Sequence, residues 1–175
     1  MIAVLGGSAA AAGDDTAAIG SIENFAEDRG GYSIATGEAI FEASAHSAER
    51  GGAAAAADTF LSVSGADFIF EREIDHAMRG PHDATARSEL EYLSIDIHGW
   101  SPPHGPIVIE MGHEMGHMGP CFGQHLSIDQ GYGNFAMALA TAEAHGVDSL
   151  AATLTTAFTV ENRFSFVTAT GIVAV

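Results

Sequence analysis

Side chains along most of this chain alternate between apolar and polar with the period of two that is typical of β-strands. In residues 41–46, Phe and Ala alternate with Glu, Ser and His, and in residues 92–97, Leu and Ile alternate with Tyr, Ser and Asp. An amphipathic helix would instead repeat its apolar positions every three to four residues. The alternation therefore predicts half-buried antiparallel strands from one end of the chain to the other.

Turn-forming residues separate these segments at short intervals. Gly, Pro and Arg-Gly sequences occur at 30–31, 50–52, 79–81 and 131–133, and strands near 66–76 and 88–98 flank one of them as a predicted hairpin. Short strands divided by frequent turns are typical of sandwiches and barrels. The sequence predicts an all-β, antiparallel β-sandwich or jelly-roll-like single domain.

The predicted domain organisation has two parts. Residues 1–13 form an apolar N-terminal strand followed by a flexible, Gly- and Ala-rich tether, and residues 14–175 form the sandwich, with a long Gly/Met/His loop inserted at about 99–133. Residues 134–145 are predicted as strand, although Asn134 could cap a helix there. Residues 53–57 are predicted as a short helical turn or a small-residue loop.

The charge balance excludes one class of partner. The chain has 23 acidic residues against six basic ones, all of them Arg, which gives a formal net charge of −17. Such a surface repels phosphate backbones, so nucleic acid is excluded as a partner. The same acidity favours divalent cations such as Ca²⁺, and it suits an extracellular or cell-surface medium in which salt screens the repulsion.

The cysteine content and the N-terminal residues bear on disulfide formation and on export. Cys121 is the single cysteine, so an internal disulfide cannot form. The first residues, Met-Ile-Ala-Val-Leu-Gly-Gly, lack the basic region of a Sec signal peptide, and no apolar run is long enough for a membrane span. We expect an extracellular or cell-surface protein exported by another route.

Residues 111–121 contain the H-E-x-x-H pattern of zinc peptidases. On a helix, His113 and His117 would bind Zn²⁺ and Glu114 would act as general base on the metal-bound water. The resemblance covers five residues, because Pro120 and Gly123 occupy the positions at which the metzincin family has Gly and His. Two glycines within the motif also oppose a helix, each by roughly 1 kcal/mol relative to Ala. A small zinc hydrolase is therefore an alternative function, and a non-enzymatic protein is the prediction.

A second alternative is a Cu- or Zn-binding module. Thioether, thiolate and imidazole groups at close spacing suit Cu(I), or Zn²⁺ with fewer ligands. The third interpretation of the same segment is a flexible loop without a metal. The candidate metal ligands are His113, His117, His125, Met111, Met115, Met118 and Cys121.

Both ends of the chain are apolar, and exposed apolar ends favour association. Each terminal segment either pairs within its own sheet or adds to the sheet of a neighbouring subunit. In the second case, deleting residues 1–5 would leave a folded monomer that no longer assembles. The candidate assembly residues are Ile2, Val4, Leu5, Ile172, Val173 and Val175.

The function predicted from these patterns is structural. We expect a subunit of an extracellular or surface fibre or particle that self-assembles through β-strand contacts and its apolar termini, with itself as partner. Its cofactors are open, with Ca²⁺, Zn²⁺ and copper as the candidates that its side chains suit.

Overall fold

The computed structural model describes residues 1–100, 105–110 and 133–175, and it confirms an all-β sandwich built from two packed sheets. The strands are β1 Ile2–Ala12, β2 Asp15–Asp28, β3 Tyr32–His46, β4 Ala54–Ser64, β5 Phe68–Arg79, β6 Asp83–Ile97, β7 Ile107–Glu110, β8 Asn134–His145, β9 Leu150–Val160 and β10 Phe164–Ala174.

One sheet has four strands in the order β4-β1-β10-β9, and the other has six in the order β7-β5-β6-β3-β2-β8. All pairs in the four-stranded sheet are antiparallel. In the six-stranded sheet, β7 and β8 instead pair in parallel with β5 and β2. The antiparallel pairing expected from the sequence therefore holds for every pair except those of these two edge strands, which are reached by longer connections than a hairpin turn.

Small side chains fill the space between the sheets. Most of the buried core residues are Ala, and the largest fully buried side chain is Phe41. Its ring lies so close to Gly7 of β1 that a Cβ atom there would come within 2.5 Å of it, and Gly20 of β2 is in similarly tight contact with the ring. Glycine at both positions therefore lets one large ring fit between closely packed sheets.

Three polar contacts join the sheets inside the core. Asn24 of β2 donates from Nδ2 to the Gly171 carbonyl oxygen at 3.0 Å and accepts a hydrogen bond from the Tyr92 hydroxyl. The hydroxyls of Thr16 and Ser165 are 2.7 Å apart, and Thr59 and Ser88 make a similar pair. Buried polar groups that are paired in this way fix how one sheet sits on the other.

The N-terminal segment differs from its prediction. Residues 6–12, expected as a flexible tether, belong to β1, which pairs with β10 on one side and β4 on the other along its whole length. Ala9 and Ala11 are buried in the core, and Gly6 lies beneath the ring of Phe60. The small residues that resembled a linker are the ones that allow tight packing on both faces of a central strand.

Two ambiguous segments are strands. Residues 134–145 form β8, as predicted, whereas residues 54–57, expected as a helical turn or loop, begin β4 because Ala55 and Ala57 pack against the core. Within the predicted loop at about 99–133, residues 107–110 form β7. The remainder of that prediction falls largely outside the described residues.

The apolar face of the predicted hairpin points the other way from the one expected. In β5 and β6 most of the larger apolar side chains, such as Phe68, Phe70 and Leu93, lie on the side away from the four-stranded sheet. Tyr92 and Ser94 are buried on the inner side, together with Ile69 and Leu90. A core of Ala, Ser and Gly side chains leaves little depth between the sheets. The bulkier residues therefore cluster on the outer surface, where Phe68 stacks on Trp100 at 5.3 Å between ring centroids.

Candidate functional site

The predicted metal site lies outside the described residues. All seven candidate ligands and the candidate base Glu114 fall within residues 111–132, so their prediction stays untested. In the described part of the chain, no helix is long and apolar enough to cross a membrane.

Charge is distributed very unevenly between the two sheets. The four strands of the four-stranded sheet contain one charged residue, Asp58 of β4. The six-stranded sheet carries the acidic side chains of β2, β3, β5 and β6, together with Arg72, Arg79 and Arg87. In a chain of net charge −17, one whole sheet is therefore almost uncharged.

The outer face of the four-stranded sheet, which points away from the six-stranded sheet, is apolar. Leu154 is 72% exposed and Leu150 is 57% exposed. The ring of Phe158 packs against those of Phe164 and Phe166, with centroids 5.6 and 6.0 Å apart. Ser and Thr supply most of the polar groups between these side chains. An exposed apolar surface of this kind, on a sheet with a single charged residue, is typical of a contact surface between proteins.

Strand β9 forms one edge of this sheet, and we call its side away from β10 the β9 edge. Every residue of β9 is exposed, and no strand in the described part of the chain pairs with the β9 edge. The strand has eleven residues and contains no Pro, Gly or charged residue. Proteins usually protect such an edge with charges, Pro or bulges, because its open N–H and C=O groups template pairing with another chain.

The opposite edge of the same sheet, formed by β4, is acidic. Asp58 lies on β4 itself, and Glu71, Glu73 and Asp75 of β5 point toward β4 from the other sheet. Burial raises the pKa of Glu73, and the neighbouring charges of Asp75, Asp58 and Glu71 add to that effect. We call this the β4 edge.

A second group of carboxylates lies on the outer face of the six-stranded sheet. Glu23, Glu38 and Glu91 stand directly opposite one another on β2, β3 and β6, and Arg72 of β5 follows Glu91 in the same row. With Glu89, two of these form the carboxylate cluster, Glu38, Glu89 and Glu91, whose side-chain oxygens lie within 4.8 Å of one another. Like charges placed opposite each other in this way destabilise a sheet.

The carboxylate cluster combines one raised pKa with two ion pairs. Burial, followed by the charges of Glu91, Glu89 and Glu23, raises the pKa of Glu38 to about 7. Arg87 donates to Glu89 at 2.9 Å, and Arg72 donates to Glu91 at 3.4 Å. Ca²⁺ takes six to eight oxygen ligands, so three carboxylates, two of which already pair with arginines, form an incomplete calcium site. The raised pKa of Glu38 means that its carboxyl group binds a proton more readily near neutral pH than an exposed one does.

The predicted assembly residues divide between surface and core. Ile2, Val4 and Ile172 lie on the outer face of the four-stranded sheet. Leu5 and Val173 are fully buried between the sheets, and Val175 packs against the core. The two terminal strands pair with each other within one chain, and the Met1 amino group donates to the Val175 carbonyl oxygen at 2.6 Å.

Neither the carboxylate cluster nor the difference between the two edges was found from the sequence. The cluster depends on the register between β3 and β6, which alternation within single strands does not give. The β9 edge has a sequence signal, since residues 150–160 contain no charged residue, but strand order is needed to place it at an edge.

No protein-family model matches this chain, and no curated protein or solved structure is significantly similar to it. The function of the chain is therefore inferred from its own residues.

Proposed function

We propose that this chain is a structural subunit that assembles with further copies of itself through the outer face and the β9 edge of its four-stranded sheet. The observation that carries the proposal is the near absence of charge from that sheet, in a chain of net charge −17. A monomer that stays dispersed gains nothing from exposing such a surface, whereas a subunit buries it on assembly.

Electrostatic repulsion between copies also favours contact through the four-stranded sheet. Two copies that each carry −17 repel one another, most strongly where their carboxylates approach. Contact through the outer face of the four-stranded sheet keeps the acidic six-stranded sheets at the far sides of the two molecules. Salt or Ca²⁺ would weaken the remaining repulsion, so we expect assembly to strengthen as ionic strength rises.

Strand exchange through the chain termini is not part of this proposal. β1 pairs with two neighbours over eleven residues, and donating it to another subunit would break both ladders and remove Leu5 from the core. The termini instead contribute Ile2, Val4 and Ile172 to the outer face. Deletion of residues 1–5 is therefore expected to unfold the chain, rather than to leave the folded monomer expected from the sequence.

We further propose an extracellular or cell-surface location, where salt and divalent cations would screen the acidic surface. The two alternative functions, a small zinc hydrolase that uses Glu114 and a Cu- or Zn-binding module, depend on residues 111–132. They stay predictions, and no contact among the described residues favours either of them.

A matched pair of substitutions tests the proposal. Leu154, 72% exposed on β9, and Met78, 73% exposed on β5 of the other sheet, are equally accessible. Leu154→Glu places a charge on the proposed contact surface, and Met78→Glu adds the same charge elsewhere. Sedimentation velocity should show at least a tenfold weaker association for Leu154→Glu, about 1.4 kcal/mol, and little change for Met78→Glu.

Circular dichroism melting serves as the control that both variants are folded. An equal loss of association in both variants would point to net charge rather than to this surface. Unchanged association of a folded Leu154→Glu chain would overturn the proposal.

A further inference from the structure

The two edges of the four-stranded sheet differ in chemistry, and this difference determines how copies can join. Neighbouring strands in the order β4-β1-β10-β9 are all antiparallel, so β9 runs opposite to β4. A copy displaced along the sheet would therefore present its β4 antiparallel to β9, and repetition would give an open fibre. A copy related by a two-fold axis would present β9 to β9, also antiparallel, and would close the contact.

Backbone hydrogen bonding permits both arrangements, so side-chain charge decides between them. A β9-to-β4 contact would cover Asp58, and it would bring the second molecule against Glu71, Glu73 and Asp75. None of the described residues of β9 offers a cation to those carboxylates. Burying unpaired carboxylates is strongly unfavourable, which protects the β4 edge from pairing.

The β9 edge, in contrast, has no charged residue that would oppose pairing with a second copy. A two-fold axis near Thr155 places Leu150 opposite Val160, Ala152 opposite Phe158 and Leu154 opposite Thr156 of the second copy, so that no large side chain lies opposite a charge. Since Thr and Ala make up most of the strand's other residues, shifts of two residues in register leave the contact uncharged. The edge is compatible with its own copy in every such register.

We infer that copies of this chain join β9 to β9 about a two-fold axis, which makes one continuous eight-stranded sheet, and that the acidic β4 edges end that sheet on both sides. The inference rests on the proposed function and specifies its partner, a second copy in a closed pair. The outer faces of the two four-stranded sheets then form one apolar surface, available for contacts between pairs.

Distances between spin labels on β9 test this arrangement whatever register the two strands adopt. In a two-fold pair the distance between equivalent labels passes through a minimum along β9 and rises on both sides by about 7 Å per residue, twice the rise of a strand. In a head-to-tail fibre, the distance is the same at every position, about 19 Å for four strand spacings. The labelled variants, in a Cys121→Ser background, are Ala151→Cys, Thr153→Cys, Thr155→Cys, Ala157→Cys and Thr159→Cys.

A label on β4 provides the matched control. With Ser62→Cys, a two-fold pair separates the labels by at least about 33 Å, seven strand spacings, and by more where the axis is not level with Ser62, whereas a head-to-tail fibre again gives about 19 Å. Light scattering of each labelled chain establishes its mass before the distances are measured. The expected result is a minimum along β9 together with the long β4 distance.

The other outcomes separate the two proposals. Constant distances near 19 Å at all positions would overturn the two-fold arrangement and leave self-assembly standing. Larger particles without any short distance on β9 would overturn the edge contact itself. Monomeric mass and no dipolar coupling in all chains would overturn the proposed function, and the inference would fall with it.

Discussion

At the scale of single residues, the structure joins its two sheets through a few buried polar side chains within a core of Ala and Gly. Asn24 is the clearest example, because it links β2 to β10 and receives the Tyr92 hydroxyl from β6. Because the core has few large apolar side chains, these polar contacts contribute more to fixing the relative position of the two sheets. Alternation in the sequence did not predict them, since it treats Asn, Ser and Tyr as outward-facing residues.

Tyr92→Phe tests the importance of this contact. The substitution keeps the aromatic ring and removes the hydroxyl that donates to Asn24 Oδ1. Because the Asn24 side chain is buried, this oxygen then lacks its hydrogen-bond donor. We expect the free energy of unfolding to fall by about 1–3 kcal/mol, measured by urea denaturation. Tyr32→Phe, on a residue that is 38% exposed, is the control and should change stability little. An equal effect of both would show that the Asn24 contact has no special weight.

The carboxylate cluster gives the molecule a predicted dependence on pH. The pKa of Glu38 is raised from 4.5 to about 7 in the folded chain, mainly by burial and by Glu91 and Glu89, while Arg87 opposes the shift. Folding therefore takes up a proton between about pH 4.5 and about pH 7. The stability of the folded chain should fall as the pH rises through that window.

Glu38→Gln should remove this dependence. Since Glu38 is half-buried and screened by solvent, we expect a gain on the order of 1 kcal/mol at pH 8 and little change at pH 4. Thermal melts at both pH values measure it, with Glu49→Gln, in the connection between β3 and β4, as the control. A gain of the same size at both pH values would contradict the assigned proton.

At the scale of elements, alternation predicted strands well and their placement poorly. It predicted the hairpin of β5 and β6 and the strand over residues 134–145, because these depend on local periodicity. It assigned residues 6–13 to a tether and 53–57 to a turn, because Gly and Ala resemble a linker unless their neighbours are known. Strand order and the parallel pairing of β7 and β8 depend on contacts far apart in sequence.

Neutralising the β4 edge tests whether its charges limit assembly. A chain with Asp58→Asn, Glu73→Gln and Asp75→Asn keeps the shape of these side chains and removes their repulsion. We expect its assemblies to grow beyond those of the parent, because β9 can then pair with β4. Electron microscopy and light scattering measure this growth.

The control for that variant removes equal charge elsewhere. A chain with Glu23→Gln, Glu49→Gln and Asp83→Asn loses the same number of carboxylates from the six-stranded sheet and a connecting turn. Its assemblies should stay the size of the parent's. Equal growth in both chains would mean that net charge, rather than the β4 edge, limits assembly.

At the scale of the whole molecule, the two sheets differ in charge and in the surface that they expose. The six-stranded sheet holds nearly all of the strand-borne charge, and the four-stranded sheet presents an apolar face and one uncharged edge. The sequence indicated self-association from the apolar termini, and the structure shifts the proposed contact from exchanged terminal strands to the surface and edge that they help to build. Residues 111–132, which carry the metal and peptidase predictions, play no part in that argument.

The most direct test of self-assembly is the mass of the unaltered chain in solution, measured by light scattering after size exclusion at rising protein and salt concentrations. We predict masses of at least twice 18.0 kDa that increase with both concentrations, because salt screens the acidic sheets while the nearly uncharged sheets bind each other. A mass of 18.0 kDa under every condition would contradict this prediction.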